Sequence, residues 1–269
     1  MMETLSSGIQ YRHWPAQEAK ACILLIHGLA EHTGRYERLA AYFNARNIAV
    51  VGPDHIGHGA SPGTRAYVAQ FSEYLAPLTE LRAAIRGWYS DTPTFMLGHS
   101  MGGLIAAHLL LQDAQSYRGA MLSAPAFSAD EAVSPVTLWL GRLLRAVMPK
   151  IGMMSLEANQ ISRDPAVVAD YIADPLVYNG KITAALGMEL LSAMDDAIAG
   201  AQHITLPIYM AHGEADVMAM PDGSRAFFQA LASQDKTLDW WPDLYHEIFN
   251  EPESEAVMDR FAGWLEAHL

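Results

Sequence analysis

"FMLGHSMGG", residues 95–103, decides how this chain is read. An apolar run closes on Gly98, a single serine stands after His99, and Gly102 and Gly103 precede "LIAAHLL". A strand that turns at once into a helix forces its corner residue into a strained conformation. Residues two before and two after that corner must be small for strand and helix to approach, and Gly98 and Gly102 meet the requirement. The result is a Ser100 hydroxyl held clear of the sheet, close to a helix start. Gly-x-Ser-x-Gly alone is a weak signal. Between a buried strand and an apolar helix it is a strong one.

The surrounding chain supplies that setting. "CILLI" (22–26), "IAVVG" (48–52), "FMLG" (95–98), "GAML" (119–122) and "PIYMA" (207–211) are short apolar runs bounded by turn residues. They suit strands buried on both faces of a parallel sheet. Helical patterns lie between them, in "RYERLAAYFNARN", "QFSEYLAPLTELRAAIRGWY" and "MGGLIAAHLLL". "GIQYRHW" alternates like an antiparallel strand. This alternation predicts an α/β fold with a mostly parallel, doubly wound central sheet.

The alternation breaks between about 126 and 204, where no run of comparable strand quality occurs. Asp164 and Pro165 predict a helix N-cap and first turn. Leu186, Leu190, Met194 and Ile198 recur every four residues on one helical face, and Gly200 can end it. Strand and helix patterns resume through "SRAFFQALA", "KTLDWW" and a last helix from about Ser254 to His268. We therefore expect a first core part over 1–125, a helical insertion over 126–204 lying across the carboxyl ends of the strands, and a second core part over 205–269.

Composition bounds the function. The 269-residue chain carries a net charge of −13, a surface that would repel nucleic acid phosphates. No basic region precedes an apolar run at the N-terminus, and no apolar segment reaches the roughly 18 residues needed to span a membrane. The expectation is a soluble cytoplasmic protein. Cys22, the single cysteine, cannot form an intrachain disulfide and reads as a small buried hydrophobe.

A serine hydroxyl needs a base to take its proton, and the base needs an acid to fix its tautomer. In this architecture the chain order is serine, acid, histidine, with ligand chemistry at the carboxyl ends of strands. Asp216, in "HGEAD", and His246, in "YHEIFNE", each lie just past a strand end. Glu214 and Asp222 are alternative acids. His268 is a poorer base because it lies in the terminal helix. Met101, directly after the serine, offers one backbone N–H to an oxyanion. Leu29, in the loop after "CILLI", offers the second. His27 and Gly28 read as shaping that loop.

Assembled in this way, the chain resembles the monoacylglycerol lipases of the serine α/β-hydrolases, a group that includes lysophospholipase-like enzymes. The resemblance rests on "HGLAEHTGRYERLA" (27–40), "GPDHIGHGAS" (52–61), "GHSMGG" (98–103), "LSAPA" (122–126), "SRDPAVVADYIADPLVYNGKITAALGMELL" (162–191), "HGEAD" (212–216) and "YHEIFNE" (245–251). It implies Ser100, Asp216 and His246 as a catalytic triad and the amides of Leu29 and Met101 as the oxyanion hole. It also implies a helical cap over an apolar acyl tunnel, with no metal and no cofactor. Leu29 is bulkier than the small residue frequent in relatives, and residues 130–160 match least.

The expected activity is hydrolysis of a small-molecule lipid ester, a monoacylglycerol, through an acyl-enzyme. The same triad would serve a lysophospholipase, a carboxylesterase or an acyl thioesterase. A non-catalytic hydrolase-fold receptor is the reading from another class, and it would show a broken triad or oxyanion loop. "VSPVTLWLGRLLRAVMPKIGMM" (133–154) is mostly apolar and carries Arg142, Arg145 and Lys150 without an acid. It suits either a cap helix resting peripherally on a membrane or micelle, or a helix packed on the core. Met148, Met153, Met154, Met188 and Met194 fall in the insertion, where each reads as core filling or as a flexible pocket wall. No protein partner is expected.

Overall fold

The computed structural model describes residues 2–128 and 135–269, and in the second stretch the side chains from 141 onward. Ten strands are present among the described residues: β1 (Met2–Thr4), β2 (Gln10–Trp14), β3 (Ala21–Ile26), β4 (Ile48–Pro53), β5 (Thr94–His99), β6 (Gly119–Ser123), β7 (Gly152–Ser155), β8 (Lys181–Thr183), β9 (Ile208–Gly213) and β10 (Lys236–Trp241). The α-helices are α1 (Glu37–Asn44), α2 (Leu75–Trp88), α3 (Met101–Asp113), α4 (Pro135–Val147), α5 (Pro165–Ala173), α6 (Ala184–Gly200), α7 (Pro221–Ala230) and α8 (Ser254–Ala267).

Eight strands form one sheet in the order β1-β2-β4-β3-β5-β6-β9-β10. β2 pairs antiparallel with both β1 and β4, as its alternating sequence predicts, and the remaining neighbours are parallel. The continuous apolar runs are buried on both faces. Leu24 and Ile26 of β3 join one apolar cluster, with Leu78 of α2, Leu104 of α3, Leu186 of α6 and Phe227 of α7. Ile23 and Leu25 of the same strand join the other, with Phe43 of α1 and Phe261 of α8. The period-two alternation of a strand thus feeds two helical layers, and each buried leucine contributes about 1.5–3 kcal/mol. α3 is apolar on all sides because it is buried on all sides.

Parallel strands share one carboxyl edge. The segments after β3, β5, β9 and β10, carrying Leu29, Ser100, Asp216 and His246, therefore emerge together. Between β6 and β9 the chain leaves the sheet for α4, α5 and α6, as the broken alternation suggests. Asp164 caps α5, its carboxylate accepting from the Ala166 N–H at 2.8 Å, and Pro165 opens the helix. One expectation is corrected here. The insertion is not purely helical, because β7 and β8 pair antiparallel within it. These strands are three and four residues long and β7 is exposed throughout, so neither alternation nor an apolar run marks them.

Candidate active site

Ser100 sits where β5 turns into α3, with φ 53° and ψ −120°. A positive φ in a residue with a side chain costs on the order of 1–3 kcal/mol and persists where the surroundings enforce it. They do so here. The Ser100 N–H donates to the Ser123 carbonyl at 3.0 Å, and its own carbonyl accepts from Gly103 and Ala126 at 2.9 and 3.0 Å. The flanking glycines are required by contact. A Cβ on Gly98 would lie 2.5 Å from the Gly102 carbonyl oxygen, and one on Gly102 only 1.9 Å from that of Ile26.

Asp216 and His246 meet. The His246 Nδ1–H donates to Asp216 Oδ2 at 2.7 Å, with both side chains buried. That bond leaves Nε2 of the neutral ring as the acceptor. Burial opposes charge on His246, but the Asp216 carboxylate outweighs it and raises the imidazole above its ordinary range. Asp216 is likewise penalised by burial and is held well below the usual carboxylate range by His246 and His212. Its Oδ1 accepts from the amides of Met218 and Ala219 at 2.8 and 3.1 Å. Among the described residues no hydrogen bond joins the Ser100 hydroxyl to His246; the two are brought to one cavity wall instead.

That cavity holds about 270 Å³. Gly28, Leu29 and Met101 line it beside Ser100. Met101 begins α3, so its N–H has no acceptor within the helix. His27 is fully buried and points away from the chemistry. It accepts from the His55 N–H at Nε2 and donates from Nδ1 to the Gly28 carbonyl, at 2.9 and 2.7 Å. Both of its ring nitrogens are thus engaged by backbone groups.

The rival residues lie elsewhere. Glu214 is exposed, Asp222 pairs with Arg225 on the surface, and His268 bonds to Trp264 and Asp235. Four of the five methionines singled out in the sequence, Met153, Met154, Met188 and Met194, line the cavity, whereas Met148 is exposed. These four are pocket wall, and Met194 packs against the core as well.

Sequence reasoning missed a buried ionic bridge. Arg35 donates to Glu31 at 2.8 Å and to both oxygens of Glu247 at 2.5 and 2.7 Å. Glu31 also accepts from the Gly28 N–H and the Tyr36 hydroxyl, both at 2.6 Å. The signal was present as acids inside two motifs, "HGLAEH" and "YHEIF", but only folding brings Arg35 between them. The insertion is fastened to the same two loops. The Tyr178 N–H donates to the Ala30 carbonyl and the Glu247 N–H to the Ile161 carbonyl, at 2.8 and 2.7 Å.

The family described as serine aminopeptidase S33 matches residues 17–253. The chain is 37% identical over 262 residues to a monoacylglycerol lipase of Mycolicibacterium smegmatis, covering 97% of this chain and 94% of that one. It is 31% identical over 258 residues to the monoglyceride lipase of Rattus norvegicus, covering 94% and 85%. The crystal structure of a Paleococcus ferrophilus monoacylglycerol lipase superposes with a TM-score of 0.88 at 30% identity, covering 97% of this chain and 99% of that one. The chain belongs to the serine aminopeptidase S33 family and is a monoacylglycerol lipase-like α/β-hydrolase.

Proposed function

We propose that this protein hydrolyses monoacylglycerols to glycerol and a free fatty acid through an acyl-enzyme on Ser100. His246 takes the Ser100 proton, and the serine oxygen attacks the ester carbonyl. The N–H groups of Leu29 and Met101 hold the oxyanion, and Asp216 steadies the imidazolium. His246 then protonates the departing glycerol oxygen. Water, activated by the same histidine, attacks the acyl-enzyme and releases the fatty acid.

One observation carries the reading. The strained serine lies in a single cavity whose walls are mostly apolar, with polar groups gathered beside Ser100, among them Glu31, His99, His246 and Glu247. An acyl chain suits the methionine-lined wall, at about 0.8 kcal/mol per methylene buried, and a small polyol suits the polar end. The names of the similar proteins point to the same substrate class.

Residues 126–204 act in this reading as a cap. In this insertion α4 exposes Leu143 and Val147, the turn after it Met148, and β7 Met154, apolar groups suited to the edge of a lipid aggregate. Of the three basic groups in the segment, Arg145 pairs with Glu189, Lys150 stands 4.9 Å over the Tyr67 ring, and Arg142 is exposed. Membrane contact in this reading would use the apolar residues with Arg142 beside them, and Val147→Asp with Met154→Asp should weaken vesicle binding. The side chains of Leu138 and Trp139, in the same segment, lie outside the described residues. Among the described residues no helix is long and apolar enough to cross a membrane.

The test is a panel of monoacylglycerols of rising chain length, with di- and triacylglycerols, a lysophospholipid and an acyl thioester. Monoacylglycerol should be favoured, with a rate that rises until the cavity is full. Preference for another head group would overturn the substrate class, and a flat chain-length profile would overturn the acyl cavity.

A further inference from the structure

Asp216 holds two histidines. Its Oδ2 accepts from His246 at 2.7 Å and also lies 3.0 Å from Nε2 of His212, the penultimate residue of β9. The same Nε2 is 2.8 Å from the Ala219 carbonyl oxygen. A nitrogen facing a carboxylate and a carbonyl must carry the proton, so in the neutral ring Nδ1 is the acceptor. The Ser224 hydroxyl, from the first turn of α7, lies 2.7 Å from that Nδ1 and donates to it. The result is a directed chain from Ser224 through His212 to Asp216, met from the other side by His246. Ser224 and His212 are fully buried, and Asp216 and His246 nearly so.

We infer that His212 is a positioning residue for the acid: its N–H pins Asp216 Oδ2 and divides that oxygen between two donors. The inference rests on the assignment of Asp216 as the triad acid. With Oδ1 held by the Met218 and Ala219 amides, the carboxylate has no free rotation while His212 is present. Without His212, Oδ2 turns wholly to His246, one restraint on the carboxylate is lost, and the imidazole becomes more basic. Two consequences separate this role from ordinary packing. Turnover falls while substrate affinity holds, and the acidic limb of kcat/KM moves to higher pH. The other groups facing His246 are the His99 ring at 4.8 Å, Glu247 and Glu31, with Arg35 bonded to both glutamates, and the substitutions leave all of them in place.

The experiment compares wild type, His212→Phe, His212→Gln and Asp216→Asn on a monoacylglycerol, with thermal unfolding of each. His212→Phe should lower kcat about tenfold or more and leave KM within about twofold, with the acidic limb raised. His212→Gln, whose amide can donate to Asp216 and accept from Ser224, should recover most of the loss. If folded His212→Phe keeps wild-type kcat and an unmoved limb, or if Gln fails as badly as Phe, the inference is wrong. If His212→Phe does not fold, His212→Met, which likewise offers no N–H to Asp216, should raise the same limb; an unmoved limb there also overturns it. Full activity in Asp216→Asn would instead remove the acid assignment itself.

Discussion

Arg35 grips Glu247 through two parallel bonds, Nη1 to Oε1 and Nη2 to Oε2, across 212 positions of sequence. Glu247 follows His246, and Arg35 also holds Glu31, which binds the Gly28 N–H. One guanidinium thus ties the loop carrying the histidine to the loop carrying Leu29. Burial pushes the Glu31 carboxyl up, with Arg35 opposing that rise. Removing the cation leaves two buried carboxylates to share one site. Arg35→Met should therefore cost about 3–5 kcal/mol of stability, read by urea unfolding. Arg35→Lys should recover only part, because an ammonium cannot make the paired fork. A midpoint unchanged in Arg35→Met would remove the bridge from the account.

The glycines divide by what surrounds them. A Cβ on Gly102 would lie 1.9 Å from the Ile26 carbonyl oxygen and 2.6 Å from that of His27, backbone that cannot move aside. Gly102→Ala should destabilise by about 3 kcal/mol or more and abolish turnover. Gly263, inside α8, meets nothing within 4 Å. Gly263→Ala should stabilise by roughly 0.5–1 kcal/mol. Thermal melting of both variants checks the contrast.

Much of this arrangement was legible in the sequence. The apolar runs 22–26, 48–52, 95–98, 119–122 and 207–211 coincide with β3, β4, β5, β6 and β9, because burial on both faces leaves no room for polar alternation. Chain order and strand ends were enough to place Ser100, Asp216 and His246 at one edge. The Arg35 bridge and the His212 contact were not legible, because nothing in local periodicity tells a buried charge from a solvated one. The short strands β7 and β8 escaped for a different reason: β7 is four exposed residues and β8 only three residues long, too short for either to show a period. Met188 and Met194 follow the same helical period whether they fill a core or line a cavity.

Activity should depend on pH through His246. In the proposed mechanism the neutral ring is the base, and Asp216 raises its pKa despite the opposing effect of burial. kcat/KM should therefore fall as pH drops through a value above the ordinary histidine 6.5. A limb below 6.5 would contradict the close Asp216 pair.

Stability should move with pH through other histidines. Burial holds His27, His55 and His99 well below their ordinary range and takes His58 down to about 4. These rings stay neutral when folded and take protons when unfolded. Each then removes up to about 1.4 kcal/mol per pH unit as pH falls below about 6.5. His246 has the opposite sign: its raised pKa gives stability present below 6.5 and lost as pH rises through the folded value. The half-buried His13 is lowered too, so with five rings against one the urea midpoint should fall steeply between about pH 6.5 and 4. A flat midpoint over that range would show that the rings are protonated in place.

The most direct measurement is monoacylglycerol hydrolysis by wild type and Ser100→Ala, side by side, each shown to be folded by its melting curve. The account predicts turnover by wild type and a loss of at least about 10³-fold in kcat for the variant. Comparable turnover by a folded Ser100→Ala protein would contradict it, because the mechanism proceeds through an acyl-enzyme on the Ser100 oxygen.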